Sequence, residues 1–430
     1  MNTDSFNQQL LDFLSNSPTP FHAVKLMSEQ FDAAGFTRLK EADTWSLTPG
    51  RYYVTRNQSS IVAFVLGTEA LPDTGIRLVG AHTDSPCLKV KPRPEKKVQG
   101  YLQLGVEVYG GVLLNPWFDR DLSIAGRITH RDEGGRLCNT LIDLKDPVAI
   151  IPSLAIHLDR EVNNGRSINA ETFLPPILLQ ETGEFSFSEY LSDVTDVKHI
   201  LATDLCLYDT NPPALIGARQ EFLASARLDN LLSCFTGMQA LLEAGERQTC
   251  LLVCNDHEEV GSASAAGAEG TFLVDVLNRM TGAGDSPHSE SRYRAFSRSL
   301  LISTDNAHGI HPNFPGKHEE NHGPKLNQGP AIKYNANQRY ATNSETAAYF
   351  KTLCQAADIP VQEFVNRADM ACGSTIGPIT AKETGIRTLD VGVPTFAMHS
   401  IRELAGSQDA HSLMRALVTF FRDDNLPGVS

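Results

Sequence analysis

The chain has 430 residues, 41% hydrophobic and 20% charged, with a formal net charge of −14, the composition of a globular protein with core enough for more than one domain. The acidic balance, without a basic run, excludes a broad phosphate-binding surface and so a nucleic-acid partner. No apolar segment reaches membrane-spanning length, and no basic start followed by an apolar core marks a signal peptide. None of the eight cysteines, Cys87, Cys138, Cys206, Cys234, Cys250, Cys254, Cys354 and Cys372, belongs to a C-x-x-C pair. Several lie in apolar runs, as buried thiols do in a reducing compartment, so a cytoplasmic location is expected.

The first 36 residues read as helix, with Thr19-Pro20 as a start signal because proline fits the first helical position. Residues 52–54 and 61–67 read as strands. Residues 76–81 read as a buried strand that runs into His82-Thr-Asp-Ser-Pro86. Alternate strand residues share a face, so His82 and Asp84 point the same way. Asp84 is then placed to accept the second ring N–H of a ligand histidine; the competing reading is a buried histidine satisfied by a neighbour.

From about Lys91 the texture changes. Val90-Lys-Pro-Arg-Pro94 is a stiff exit, and residues 95–210 carry short β-like runs at 99–109, 112–114 and 122–129, separated by turns such as Gly110-Gly111. A mainly β insert is expected there. His157, among Leu154, Ile156 and Leu158, reads by itself as a structural histidine. At Arg227-Leu-Asp-Asn230 the α/β pattern returns. Leu231, Phe235, Met238 and Leu242 recur at helical spacing, so a helix is predicted from near Asp229. Asp229 reads either as its N-cap or as a carboxylate facing a metal.

Residues 250–254 form an apolar run that ends in Asp256-His-Glu-Glu259, with Gly261 and a row of small residues behind. In open α/β sheets chemistry sits past the carboxyl ends of strands, where adjacent carboxylates can divide metal binding and proton transfer. A solvated acidic turn is the alternative. Residues 300–305 repeat the design, an apolar strand ending in Asp305, with His308 and His311 after it. His318-Glu-Glu-Asn-His322 matches the H-E-x-x-H zinc-protease pattern, but Pro315-Gly316 before it and Gly323-Pro324 after it deny the helix that motif needs. A loop without the metal is expected. Residues 331–334 read as a strand, which by itself puts Lys333 on the surface of a sheet edge. Residues 344–357 read as helix, and 371–377 as a glycine-bounded turn that does not match G-x-S-x-G. A strand at 387–392 leads to His399, and 408–421 read as an amphipathic helix.

Five candidate ligands stand near predicted strand ends or helix starts: His82, Asp229, Glu259, Asp305 and His399. Two imidazoles and three carboxylates make a poor structural zinc site. They make a good two-metal site with one bridging aspartate, which leaves Glu258 free as a base. The stretch between His82 and Asp229 is long enough to be an inserted domain.

The motifs H-T-D-S-P at 82–86, A-R-L-D-N at 226–230, N-D-H-E-E-V-G-S at 255–262, S-T-D-N-A-H at 303–308, H-E-E-N-H at 318–322 and M-H-S-I-R-E at 398–403 run in order over nearly the whole chain. Together they resemble the aspartyl aminopeptidase family of dinuclear zinc metallopeptidases. The resemblance implies one divalent ion held by His82 and Asp305 and a second by Glu259 and His399, with Asp229 between; zinc is expected, cobalt or manganese being alternatives. It makes Glu258 the general base and Asp84 the support of His82, and it points to His308, Lys333 and Tyr340 as substrate contacts. It turns His157 into a group offered to the active site of a neighbouring subunit, reversing the structural reading of that residue.

The implied fold is an α/β catalytic domain with a mixed sheet flanked by helices, residues 1–91 plus 212–430, interrupted by an inserted β-rich dimerisation domain, residues 92–211. The implied assembly is a homo-oligomer, a dodecamer built from dimers. The implied activity is metal-dependent release of N-terminal residues from peptides with a free N-terminus, acidic ones favoured through a charge-assisted bond to Lys333. An N-acyl amino acid amidohydrolase on the same scaffold and a non-catalytic oligomeric scaffold stay open as alternatives. The full ligand set and Glu258 speak against the second. His257 has no assigned role.

Overall fold

The computed structural model describes residues 1–180, 184–282 and 289–427. A nine-stranded sheet runs in the order Thr37–Arg38, Gly50–Arg56, Ser60–Leu66, Thr249–Asn255, Ile76–His82, Leu300–Thr304, Arg387–Gly392, Ala331–Tyr334 and Gln362–Val365. Its centre is parallel: Thr249–Asn255, Ile76–His82, Leu300–Thr304 and Arg387–Gly392 all run the same way. Every residue of Thr249–Asn255, Ile76–His82 and Leu300–Thr304 is buried, which is why these strands read as continuous apolar runs and not as alternations. Helices cover the sheet. Leu228–Leu242 packs so closely that a Cβ on Gly237 would fall 2.7 Å from Leu252 Cδ1. Parallel direction carries the functional consequence, because it delivers the ends of adjacent strands to one edge.

Residues 87–209 supply a six-stranded antiparallel sheet, ordered Leu137–Asp143, Leu122–Arg131, Ile200–Asp209, Cys87–Val98, Tyr101–Tyr109 and Ile177–Gln180. It has its own core around Leu88, Leu104, Trp117, Ile124, Ile128 and Leu205. A five-stranded sheet, Ala214–Ile216, Phe222–Ser225, Glu403–Gly406, Pro394–Phe396 and Ala307–His308, is built from the chain after the antiparallel unit. No helix among the described residues is long and apolar enough to cross a membrane.

The N-terminal segment departs from the single helix expected of it. Helices Thr3–Ser15 and Pro20–Ala33 are separate, because Pro18 and Pro20 follow Asn16 and the chain extends through Thr19. The second helix does start at Pro20 with Thr19 as N-cap. It touches the antiparallel sheet, where the Arg127 guanidinium lies 4.3 Å from the Phe21 ring centre.

His22, on the same helix, has Nδ1 2.8 Å from Thr19 Oγ1. Burial, with Lys25, Arg227 and Lys145 outweighing Asp143, lowers its pKa from 6.5 to about 4. The unfolded chain therefore binds a proton through that interval while the fold refuses it. The contribution is whole above pH 6.5 and is lost as pH falls toward 4, about 3 kcal/mol at about 1.4 kcal/mol per unit. His22→Gln should flatten the fall of the urea midpoint between pH 7 and 4.5 relative to wild type; parallel curves would refute the assignment.

Candidate metal centre

Three neighbouring strand ends build one wall of the site. His82 is the last residue of Ile76–His82 and stands opposite Asn255 in the parallel register. After Asn255 the chain turns left-handed at His257 (φ 65°) into the short turn Glu258–Val260. Asp305 follows Leu300–Thr304 directly. Gly392, at the end of the next strand, must lack a side chain, since a Cβ there would sit 1.9 Å from the Asp305 carbonyl oxygen. The opposite wall comes from Asp229, in the first turn of Leu228–Leu242, and from His399, in a left-handed turn (φ 67°) after Pro394–Phe396.

All five candidate ligands converge. Asp229 Oδ1 lies 3.2 Å from His82 Nε2, and Asp229 Oδ2 lies 3.5 Å from His399 Nε2. Asp305 Oδ1 is 3.8 Å from His82 Nε2, and Glu259 Oε2 is 3.3 Å from His399 Nε2. One carboxylate thus faces two imidazoles, each backed by one further carboxylate. His82, Asp229 and Glu259 place donor atoms within 4.8 Å of one another. Glu258 stands beside this group, with Oε2 4.0 Å from His82 Nε2.

Both imidazoles are held from behind. His82 Nδ1 is 3.1 Å from the Asp84 carbonyl oxygen, and His399 Nδ1 is 3.0 Å from the Gly111 carbonyl oxygen. A carbonyl can only accept, so each Nδ1 carries a proton and each Nε2 faces the site, its lone pair available to a cation once that nitrogen is deprotonated. Asp84 meets the His82 ring twice, through its carbonyl and through its carboxylate, whose Oδ1 stands 3.4 Å from Nδ1, and the same carboxylate also serves the glutamate turn. It accepts from the N–H groups of Glu258 and Glu259, both at 3.1 Å, and from the Tyr109 hydroxyl at 2.6 Å.

Three contributors escaped sequence reasoning. Tyr109 and Gly111 come from the antiparallel unit, where they read only as a strand end and a turn. Glu403 is buried and accepts from the backbone N–H of His399 at 2.8 Å and of Asp229 at 3.0 Å. It ties together two candidate ligands 170 positions apart in the chain, and its only signal was its place at the end of M-H-S-I-R-E. Burial and the Asp229 charge push its carboxyl up to about 8. Glu403→Ala should lower kcat/KM roughly 10- to 100-fold with a parallel loss of metal affinity by competition with a chelator. Unchanged affinity would show that it does not position the ligands.

The electrostatics fit a cation. Burial opposes charging of both imidazoles, yet the surrounding carboxylates raise His82 well above its ordinary pKa and raise His399 as well. Burial also opposes ionisation of Asp229, which His399 and His82 hold below the carboxylate range. Glu259 is pushed well above that range by burial and Asp229; Glu258 is pushed up to about 7 by burial and by Asp305 and Asp229 against the pull of His82. Protons are balancing a charge that divalent ions would balance better. Asp229 Oδ1 and Glu259 Oε1 are buried with no hydrogen-bond partner among the described residues, as oxygens reserved for a metal would be.

The remaining candidates divide. Lys333 is buried, not on the surface, because Gln362–Val365 pairs outside its strand. Its Nζ donates to the Asn306 carbonyl at 3.1 Å, lies 3.5 Å from Asp305 Oδ2, and sits 4.9 Å from the Tyr340 ring centre. His308 packs edge-on against Phe364. His157 is exposed on an irregular segment, with Leu154 52%, Ile156 47% and Leu158 75% accessible, and no contact joins it to the centre of its own chain among those described. His318–His322 is a loop after the short turn Pro315–Lys317. His257 braces the glutamate turn, with Nδ1 2.8 Å from Ser264 Oγ and Nε2 3.4 Å from Asp256 Oδ2.

Residues 13–421 match the family described as aminopeptidase I zinc metalloprotease (M18). The chain is 57% identical to "Probable M18 family aminopeptidase 2" of Pseudomonas putida over 433 residues, 99% of this chain and 100% of that one. It is 58% identical to the protein of the same name from Pseudomonas syringae pv. syringae, over 98% and 99% of the two chains. Among solved structures it superposes on a chain of the Ape4 and Nbr1 complex with a TM-score of 0.94 at 40% identity, over 97% of this chain and 86% of that one. The S. cerevisiae mApe1 dodecamer gives a TM-score of 0.86 at 28% identity, over 99% and 98%.

Proposed function

The chain belongs to the M18 family of zinc metalloproteases, is a metal-dependent aminopeptidase, and, we propose, works with two divalent ions and a glutamate base. The observation that carries this reading is the Asp229 carboxylate, whose two oxygens face the Nε2 atoms of His82 and His399. On it, His82 and Asp305 would hold one ion and Glu259 and His399 the other, with Asp229 placed to serve both. Such a pair, when bound, polarises the scissile carbonyl and acidifies water. Glu258 takes the proton of the attacking water and delivers it to the leaving amine nitrogen. Asp84 keeps Glu258 aimed by gripping its backbone N–H.

The free amino group of the peptide is read by the acidic cluster, and the N-terminal side chain by His308, Lys333 and Tyr340. Lys333 favours an Asp or Glu there, in competition with Asp305 for its ammonium. Residues 92–211 act as a dimerisation domain, and a second copy offers His157 from its exposed apolar loop to this site. A dodecamer is the assembly proposed, by analogy with the mApe1 dodecamer. The cytoplasm is the proposed place of work, where the free thiols are kept reduced.

A panel of aminoacyl substrates tests this reading. Metal-stripped protein should be inactive and should regain activity with zinc, cobalt or manganese, saturating at two ions per subunit. Asp and Glu substrates should lead, and N-acylated ones should stay intact. Saturation at one ion, or cleavage of the N-acylated series, would overturn it.

A further inference from the structure

A cleft is lined by His308, three positions after Asp305, and by residues 395–398, which lead into His399. Its walls are partly apolar, with Phe364, Phe396 and Met398, and the imidazoles of His311 and His318 and a lysine stand among its polar groups. His311 N–H donates to His318 Nε2 at 3.1 Å, so the proton of His318 is on Nδ1. Asn313 N–H donates to His311 Nδ1 at 3.2 Å, so the proton of His311 is on Nε2. The backbone has fixed both tautomers and leaves one ring N–H of each free. The His311 ring is wedged between Phe314 and Phe396, with centroids 5.0 and 5.2 Å away. Lys317, exposed on the same rim, has no ion-pair partner among the described residues. The one carboxylate lining the cleft, Glu319, is already engaged: its Oε2 accepts from Asn321 N–H and pairs with His322.

Two imidazole N–H groups and a rim ammonium, with the one lining carboxylate engaged, suit an anionic acceptor. Position says which part of a peptide supplies it. Lys333 and Tyr340, read above as contacts of the terminal residue, are buried, 2% and 4% exposed, and neither lines this cleft. The cleft of His311 and His318 opens to solvent at Lys317 and Met370, as the path for a continuing chain must.

We propose that this cleft is a carboxylate-accepting subsite for the residue that follows the scissile bond. The proposal rests on the aminopeptidase reading and extends it to the leaving side. The carboxylate has two sources, the side chain of an acidic second residue or the C-terminus of a dipeptide.

The test uses metal-loaded full-length protein and peptides sharing whichever N-terminal residue is cleaved best. Asp-amide against Asn-amide in second place reads the side-chain source; second-place Ala against Ala-amide reads the terminal one. At least one pair should favour the acid about 10-fold in kcat/KM, mainly through KM. His318→Phe and, on the exposed rim where folding is not at stake, Lys317→Met should bring that ratio near one. Ratios near one in the wild type would overturn the subsite while leaving the peptidase intact, as would variants that slow acid and amide equally. Cleavage of none of the four peptides would overturn the parent reading and this one with it.

Discussion

Glu258→Gln should lower kcat roughly 10²- to 10⁴-fold, the range a positioned general base supplies, while leaving metal content and KM near wild type. The substitution keeps size and shape. The backbone N–H of residue 258 still donates to Asp84, so the turn stays in place and Glu259 stays beside His399. Only the ability to take and return a proton is removed. Burial, with the carboxylates of Asp305 and Asp229, puts the Glu258 pKa at about 7. Bound cations favour the charged form, so the acid limb of kcat should lie below pH 7 in the loaded enzyme. Steady-state kinetics with metal analysis on the same sample decide the matter. A kcat within a few-fold of wild type would mean that another group moves the proton.

How much of this could be read from the chain depends on how local each signal was. His82, Glu259 and Asp305 were legible because each follows a buried apolar run, and parallel strands deliver their ends to one edge. Asp229 was legible only as an ambiguity, cap or ligand. The structure shows both oxygens turned to imidazoles.

Asp84 lies beyond the strand, which ends at His82, yet its carboxylate still comes 3.4 Å from His82 Nδ1; what no alternation pattern marks is its second duty, to Tyr109 and the glutamate turn. Lys333 was misjudged because a strand of four residues carries no mark of what pairs outside it. Glu403 reaches Asp229 across 174 positions through a backbone N–H, and Gly111 reaches His399 across 288 through a backbone carbonyl. No residue pattern encodes such contacts.

Asp229→Asn separates metal binding from proton transfer. An amide offers one oxygen, and its NH₂ would turn donor hydrogens toward one of the two imidazoles and any cation between them. The variant should lose at least about 100-fold in kcat/KM, since even outer partners of metal ligands are worth 10- to 100-fold and Asp229 faces both lobes of the site. Elemental analysis should show fewer than two ions per subunit. Ions that bind only the folded state raise its stability by mass action, so added zinc should raise the Tm of wild type and of Glu258→Gln alike, and that of Asp229→Asn by much less. A zinc-induced rise as large in Asp229→Asn as in wild type would mean that the aspartate lies beside the ions without holding them. The two-ion reading would then have to stand on His82 with Asp305 and His399 with Glu259 alone, two half-sites with nothing to set their spacing.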